Sequence, residues 1–166
     1  MPITKKTNNK GRLDYRMGKD FEEIIIKELI RKDVELYRVK SYYDTISQIV
    51  SLGGKNTILQ FLKENGYNKI VIYGAGTLGK IFYDSIKDAY DEITIVDNNQ
   101  ASRYDYDEKN VVSVESLMNS NFDIVIITPL FAFETIKETL GKLDIRNYIS
   151  VQEIFLNSFL YVGEMN

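Results

Sequence analysis

The spacing of apolar positions divides the chain into a helical first part and a later part in which strands and helices alternate. From Lys19 the period is helical, with Phe21, Ile24, Ile25 and Leu29 recurring every three or four residues and Ile26 interrupting them. Val34, Leu36, Tyr37 and Val39, then Tyr42, Tyr43, Ile46, Ile49, Val50 and Leu52, continue an apolar series that Gly53-Gly54 stops. A further helix from Asn56 or Thr57 to Glu64 buries Ile58, Leu59, Phe61 and Leu62, and Asn65-Gly66 closes it, since both residues tolerate the left-handed conformation of a C-cap. Residues 19–66 therefore read as a helical appendage of two or three helices. That is too little chain for a large core of its own, so it is expected to pack on the remainder or on a second copy. Residues 1–18 carry Lys5, Lys6, Lys10, Arg12 and Arg16 among polar neighbours and read as a flexible basic tail, or as an arm that orders on a partner.

Beyond Asn68 short β-rich runs alternate with helical ones. Strands are expected at Lys69–Tyr73, Glu92–Val96, Val111-Val112, Asp123–Thr128 and Tyr148–Ser150. Helices are expected at Thr77–Asp88, about Val114–Met118, Phe131–Leu143 and Val151–Phe159. Alternation of this kind implies parallel pairing through right-handed crossovers. The runs IVIY and IVIIT are apolar at every position, as strands covered on both faces require. Residues 67–166 are thus expected to form an α/β Rossmann-like parallel sheet of about five strands in the order 3-2-1-4-5. A ligand crevice would lie where that order reverses, beside the end of the first strand.

Composition narrows the chemistry. The 166 residues are 44% hydrophobic, enough for a core, and carry a net charge of −3. A slightly acidic chain is not expected to bind nucleic acid, because affinity there rests largely on Lys and Arg meeting phosphates. Cysteine and histidine are absent. Disulfides, thiolate nucleophiles, zinc held by Cys or His, and His-based triads are therefore excluded. No apolar run approaches the roughly 20 residues of a membrane span, and the basic start lacks a signal-peptide core. The expectation is a soluble, cytoplasmic protein.

Gly74-Ala75-Gly76-Thr77-Leu78-Gly79 is a G-x-G-x-x-G that directly follows a predicted strand and opens a predicted helix. Asp97 ends the next strand about 18 residues after Gly79, near the roughly 20 expected between such a turn and a ribose-binding acid. Gly74 makes the turn, Gly76 leaves room for a pyrophosphate against the backbone, and Gly79 lets helix and sheet approach. The amides of Gly76–Leu78 point at the anion with the helix dipole behind them. Asp97 can accept from two ribose hydroxyls and would repel a 2′-phosphate, which favours NAD-like over NADP-like ligands. The bland alternative is that the glycines only pack helix against strand. Thr128 and Pro129, at the end of the fourth strand, are candidates for the second half of a dinucleotide. Asn98 and Asn99 could read a base or a ribose, or form a turn. Tyr83-x-x-x-Lys87 has the spacing of a dehydrogenase Tyr–Lys pair, but on the first helix it cannot reach a cofactor's reactive ring. Tyr42, Tyr43, Tyr104 and Tyr106 read as core or interface aromatics.

The segments KIVIYGAGTLGKIFYDSIK, ITIVDNN, DIVIITP, FAFETIKETL and ISVQEIF resemble a Rossmann-like domain frequent in bacterial surface-polysaccharide loci. The preceding YYDTISQIVSLGGKNTILQFLKENGYNK resembles the helical lead-in of its stand-alone members, so the likeness covers roughly residues 42–156. Related domains form the nucleotide-sugar-binding front half of sugar acyltransferases and the rear part of sugar C-methyltransferases. The resemblance implies that Gly74, Gly76, Gly79 and Asp97 hold NAD or a nucleotide-sugar, and it carries over no catalytic residue. Three functions stay open at this point. One is a binding or accessory module of polysaccharide modification; another is a small NAD-dependent oxidoreductase or epimerase acting on nucleotide-sugars; the third is a structural interaction domain with a degenerate site. The apolar excess of the appendage suggests a homodimer through it.

Overall fold

The computed structural model describes residues 10–51, 53–99, 104–107 and 109–156, with residues 10–21 by their backbone. The chain divides into two compact units, Met1–Lys40 and Ser41–Asn166.

The described part of the first unit is helix α1 (Lys10–Val50) as far as Lys40. Its surface carries local ion pairs, Glu23 with Lys27 and Glu28 with Arg31. Two expectations are corrected here. The helix begins at Lys10, inside the segment read as a tail to residue 18, and the two apolar series merge into one helix. The physical reason is that no proline occurs between Lys10 and Val50, and Gly11 and Gly18 alone do not stop a helix. Residues 1–9 lie outside the described residues. No helix among the described residues is long and apolar enough to cross a membrane.

The second unit is built on a five-stranded, all-parallel sheet of order β3-β2-β1-β4-β5. The strands are β1 (Ile70–Tyr73), β2 (Ile93–Val96), β3 (Val111–Val112), β4 (Ile124–Ile127) and β5 (Tyr148–Ser150). Helices α2 (Gly54–Glu64), α3 (Thr77–Ile86) and α4 (Phe133–Lys142) surround them, with 3₁₀ turns at Val114–Asn119 and Leu130–Ala132. This is the α/β fold and strand order expected from the pattern. Residues 151–156 are helical, and the rest of the expected last helix lies outside the described residues.

Alternation along each strand sorts the core into two layers. Ile70, Ile72, Ile93, Ile95, Ile124 and Ile126 face Leu78, Phe82 and Ile86 of α3, together with Ile58 and Leu62 of α2. Val71, Tyr73, Val96, Val125 and Ile127 face Ile136 and Leu140 of α4 and Leu117. Ile49, near the end of α1, and Val151, Ile154 and Phe155 belong to the first layer. The α/β unit therefore starts at Ser41, not at residue 67 as the pattern suggested. Residues 41–66 supply one wall of the core, packing on the remainder as one of the two expected arrangements, with Ile58 and Leu62 fully buried. Gln152 Nε2 ties this wall down, donating to Ser41 Oγ at 2.5 Å and to Thr45 Oγ1 at 3.0 Å. At the start of the last helical segment, Glu153 accepts from the Ser150 amide at 2.8 Å, as a capping-box acid does. Gly66 (φ +69) closes α2, with the Tyr67 amide reaching back to Leu62 O at 3.0 Å.

Asp123 links the entries of two central strands. Its Oδ2 accepts from the amides of Asn68 at 2.7 Å and Lys69 at 2.8 Å, and these bonds hold its carboxyl below the usual range. A lowered folded-state pKa gives stability that is present above the unfolded value of about 3.9 and is lost as pH falls through the lowered one. Urea denaturation between about pH 5 and pH 2 is expected to show a steeper acid loss in the wild type than in Asp123→Asn. Parallel acid limbs would contradict this.

Candidate functional site

The site forms where the strand order reverses, at the carboxyl end of β1 between β2 and β4. β1 ends at Tyr73 and the chain turns at Gly74, whose φ of +109° belongs to glycine. A Cβ there would stand 2.6 Å from Pro129 Cγ and from Thr128 Oγ1. At Gly79 a Cβ would lie 1.9 Å from Gly74 O, so the first turn of α3 rests directly on the turn that leaves β1. Gly76 differs from both. It is the N-cap of α3 in an extended conformation (φ −84°, ψ −168°), no side chain caps it, and a Cβ on it would meet nothing within 4 Å.

The turn thus has a packed side and an open side. Ala75, Leu78 and Gly79 are buried; Gly76 and Thr77 are exposed. The first intrahelical bond runs from the Lys80 amide to Gly76 O, so the amides of Gly76–Gly79 precede the ladder of α3 and lie at its positive end. An anion bound there would accept from amides already held in place by the glycine packing.

Asp97 stands at the end of β2 as the spacing required, and its carboxylate has a second task. Oδ2 accepts from the Ala75 amide at 2.7 Å and Oδ1 from the Asn99 amide at 2.8 Å. The acid therefore fixes both the glycine turn and the loop after β2. Each oxygen keeps a further lone pair, so the carboxylate can still accept from a ribose hydroxyl. Asn98 is exposed, and its Oδ1 accepts from the Tyr73 hydroxyl at 3.2 Å. Burial, then the charges of Asp97 and Glu115, raise the Tyr73 phenol above its usual value, which keeps it a donor.

Thr128 is brought to the turn, but its side chain faces inward. It is 2% exposed, and its hydroxyl reaches Tyr73 O at 3.0 Å and Gly74 O at 3.2 Å. It clamps β4 to the end of β1, while Pro129 lines the far side of Gly74. Thr128→Val keeps the shape and removes the hydroxyl donor; Tyr73 O keeps the Thr128 backbone amide at 3.0 Å, while Gly74 O loses this contact. A loss of about 1–2 kcal/mol in urea denaturation is expected; an unchanged midpoint would show that the clamp contributes nothing.

Two contacts had no signal in the sequence. Tyr104 and Thr77 share a hydroxyl–hydroxyl bond of 2.8 Å, which brings the loop after β2 to the first residue of α3. The Tyr73–Asn98 bond likewise depends on side chains far apart in the chain, from the end of β1 and the loop after β2. Tyr83 and Lys87 do meet, at Asp107, whose Oδ2 accepts from the tyrosine at 3.1 Å and the lysine at 2.9 Å. They hold this residue in its left-handed conformation (φ +53°). The lysine lowers the Asp107 pKa most, followed by the tyrosine. A separate hollow of about 210 Å³ opens at the amino ends of β1 and β2, lined by Lys69, Asp91, Glu92, Thr94 and Phe122. It is at the opposite end of the strands from the glycine turn.

Fold and turn together define a parallel α/β domain with a glycine-rich strand–turn–helix at its switch point. The chain belongs to the C2185-like N-terminal domain family, whose model matches residues 66–150. That stretch runs from the close of α2 to the end of β5 and contains every candidate site residue. No curated protein and no solved structure matches the chain.

Proposed function

We propose that the second unit binds a small nucleotide ligand, NAD or a nucleotide-sugar, with its phosphates on the amides of Gly76–Leu78 and a ribose at Asp97. The observation that carries this reading is Gly76: an uncapped helix N-terminus, open to solvent, at the switch point of a parallel sheet. If the glycines served packing alone, Gly74 and Gly79 would suffice and the N-cap would gain from Ser, Thr or Asp. The carboxylate of Asp97 disfavours a 2′-phosphate, so NAD is preferred over NADP. In this reading the protein is a cytoplasmic accessory or sugar-modifying component of surface-polysaccharide synthesis, as the resemblance of its motifs suggests. A thermal-shift panel of NAD, NADP, CoA and UDP-, GDP- and CDP-sugars tests it. A true ligand at about 100 times its Kd adds about 2.7 kcal/mol and raises Tm. No shift from any of them would favour a degenerate, structural turn.

A further inference from the structure

Three tyrosines are buried among the described residues, and two of them spend their hydroxyls on the protein. Tyr73 donates to Asn98 Oδ1 at 3.2 Å, and Tyr83 to Tyr106 O and Asp107 Oδ2, each at 3.1 Å. Tyr106 does not. It is 2% exposed, and its hydroxyl is the one buried side-chain polar atom without a hydrogen-bond partner among the described residues. A buried hydroxyl left unpaired costs the fold, whereas phenylalanine would fill the same space at no such cost.

The position of Tyr106 gives that hydroxyl a use. The segment Tyr104–Asp107 follows β2 and lies along α3. Tyr104 reaches Thr77, the first residue of the helix, at 2.8 Å, and Asp107 accepts from Lys87 near its end. Between them the Tyr106 ring packs edge-on against Tyr83, with centroids 5.2 Å apart. Burial raises the Tyr106 phenol above its usual value most, then the charge of Asp97, ahead of Asp84 and Tyr104. The hydroxyl therefore stays protonated, a donor on the side of Asp97, whose carboxylate fixes the glycine turn.

We propose that the Tyr106 hydroxyl is a second ribose contact, donating to the sugar hydroxyl from which Asp97 accepts. The proposal rests on the nucleotide reading of the glycine turn. A carboxylate only accepts, so a ribose hydroxyl that donates to Asp97 keeps lone pairs in need of a donor. The phenol is that donor, and the ligand oxygen is the partner that the phenol lacks. Together the two groups select a hydroxyl. A sugar carbon without one leaves both unsatisfied, and a phosphate in its place meets the charge of Asp97. A phosphate on the Thr77 amide also competes with Tyr104 for the Thr77 hydroxyl, which loosens one contact that holds this segment over Tyr106.

Tyr106→Phe tests this by thermal denaturation and by calorimetric titration with ADP and UDP and their 2′,3′-dideoxy counterparts. Tm is expected to rise by about 3 °C, because the unpaired group is gone. Affinity for whichever of ADP and UDP the wild type binds is expected to fall about 10-fold. The dideoxy form should bind wild type and variant equally, since it offers the phenol nothing. Unchanged affinity for the ribonucleotide, or an equal loss with the dideoxy form, would overturn the proposal. A fall in Tm would show that the hydroxyl is already paired in the free protein, by a buried water or otherwise, and would overturn it too. Gly76→Asp separates this claim from the reading beneath it. Binding lost in Gly76→Asp but untouched in Tyr106→Phe refutes the ribose contact alone; a wild type that binds neither nucleotide refutes both.

Discussion

Gly79→Ala is expected to cost the α/β unit about 3 kcal/mol or more, lowering its Tm by roughly 10 °C. The added carbon would stand 1.9 Å from Gly74 O and 3.1 Å from Gly74 C, both backbone atoms that cannot rotate away. Relief requires lifting the first turn of α3 from β1. Leu78 and Phe82, buried against Ile70 and Ile72, would move with it. Gly74→Ala should cost a similar amount for a different reason, since φ +109° strains any residue with a side chain and the carbon would also meet Pro129 and Thr128. Gly141→Ala is the matched control. It lies in α4 with nothing within 4 Å, and should stabilise the fold by about 0.5–1 kcal/mol. Equal effects of Gly79→Ala and Gly141→Ala would mean that the close approach of α3 to the turn is not a feature of the molecule.

Gly76→Asp should move stability and binding in opposite directions. The residue has N-cap dihedrals that aspartate adopts readily, and open space where the side chain would go. Aspartate at an N-cap satisfies orphan amides and complements the helix dipole, together a gain of a few tenths to about 1 kcal/mol. The neighbouring carboxylate of Asp97 subtracts from this. Tm should therefore hold or rise slightly. A bound phosphate would have to displace the new carboxylate from the same amides and would face its charge, so affinity for the nucleotide ligand should fall by about 100-fold or more. A packing role alone for the turn predicts the first effect without the second. Binding that survives the substitution would place the ligand elsewhere.

The fold was legible in the sequence to the extent that its strands are buried on both faces. IVIY and IVII are apolar runs with no other home than the middle of a covered sheet, while ITIV leaves Thr94 exposed, and the strand–glycine turn–helix order fixed where the sheet reverses. The close of α2 at Asn65-Gly66 was equally readable, because only a left-handed residue ends a helix in that way. Tertiary packing decided the rest. Nothing local says that α2 belongs to the sheet; Ile58 and Leu62 say so only once Ile70 and Phe82 are beside them. At the site, the spacing gave Asp97 but not its bonds to Ala75 and Asn99. It also nominated Thr128 for ligand contact, where the structure turns the hydroxyl toward Tyr73 and Gly74. A residue's position along a strand is written in the chain. Whether its polar atoms face a crevice or a neighbouring carbonyl depends on which strand lies alongside.

The most direct test is to follow the backbone amides of the ¹⁵N-labelled protein by NMR as NAD, or whichever nucleotide-sugar raises Tm, is titrated in. The phosphate reading expects saturable shifts centred on Gly76, Thr77 and Leu78, with smaller ones at Asp97 and Asn98. Shifts centred on Lys69, Glu92 and Phe122 at the other end of the strands would contradict it, as would binding that leaves the glycine turn unmoved.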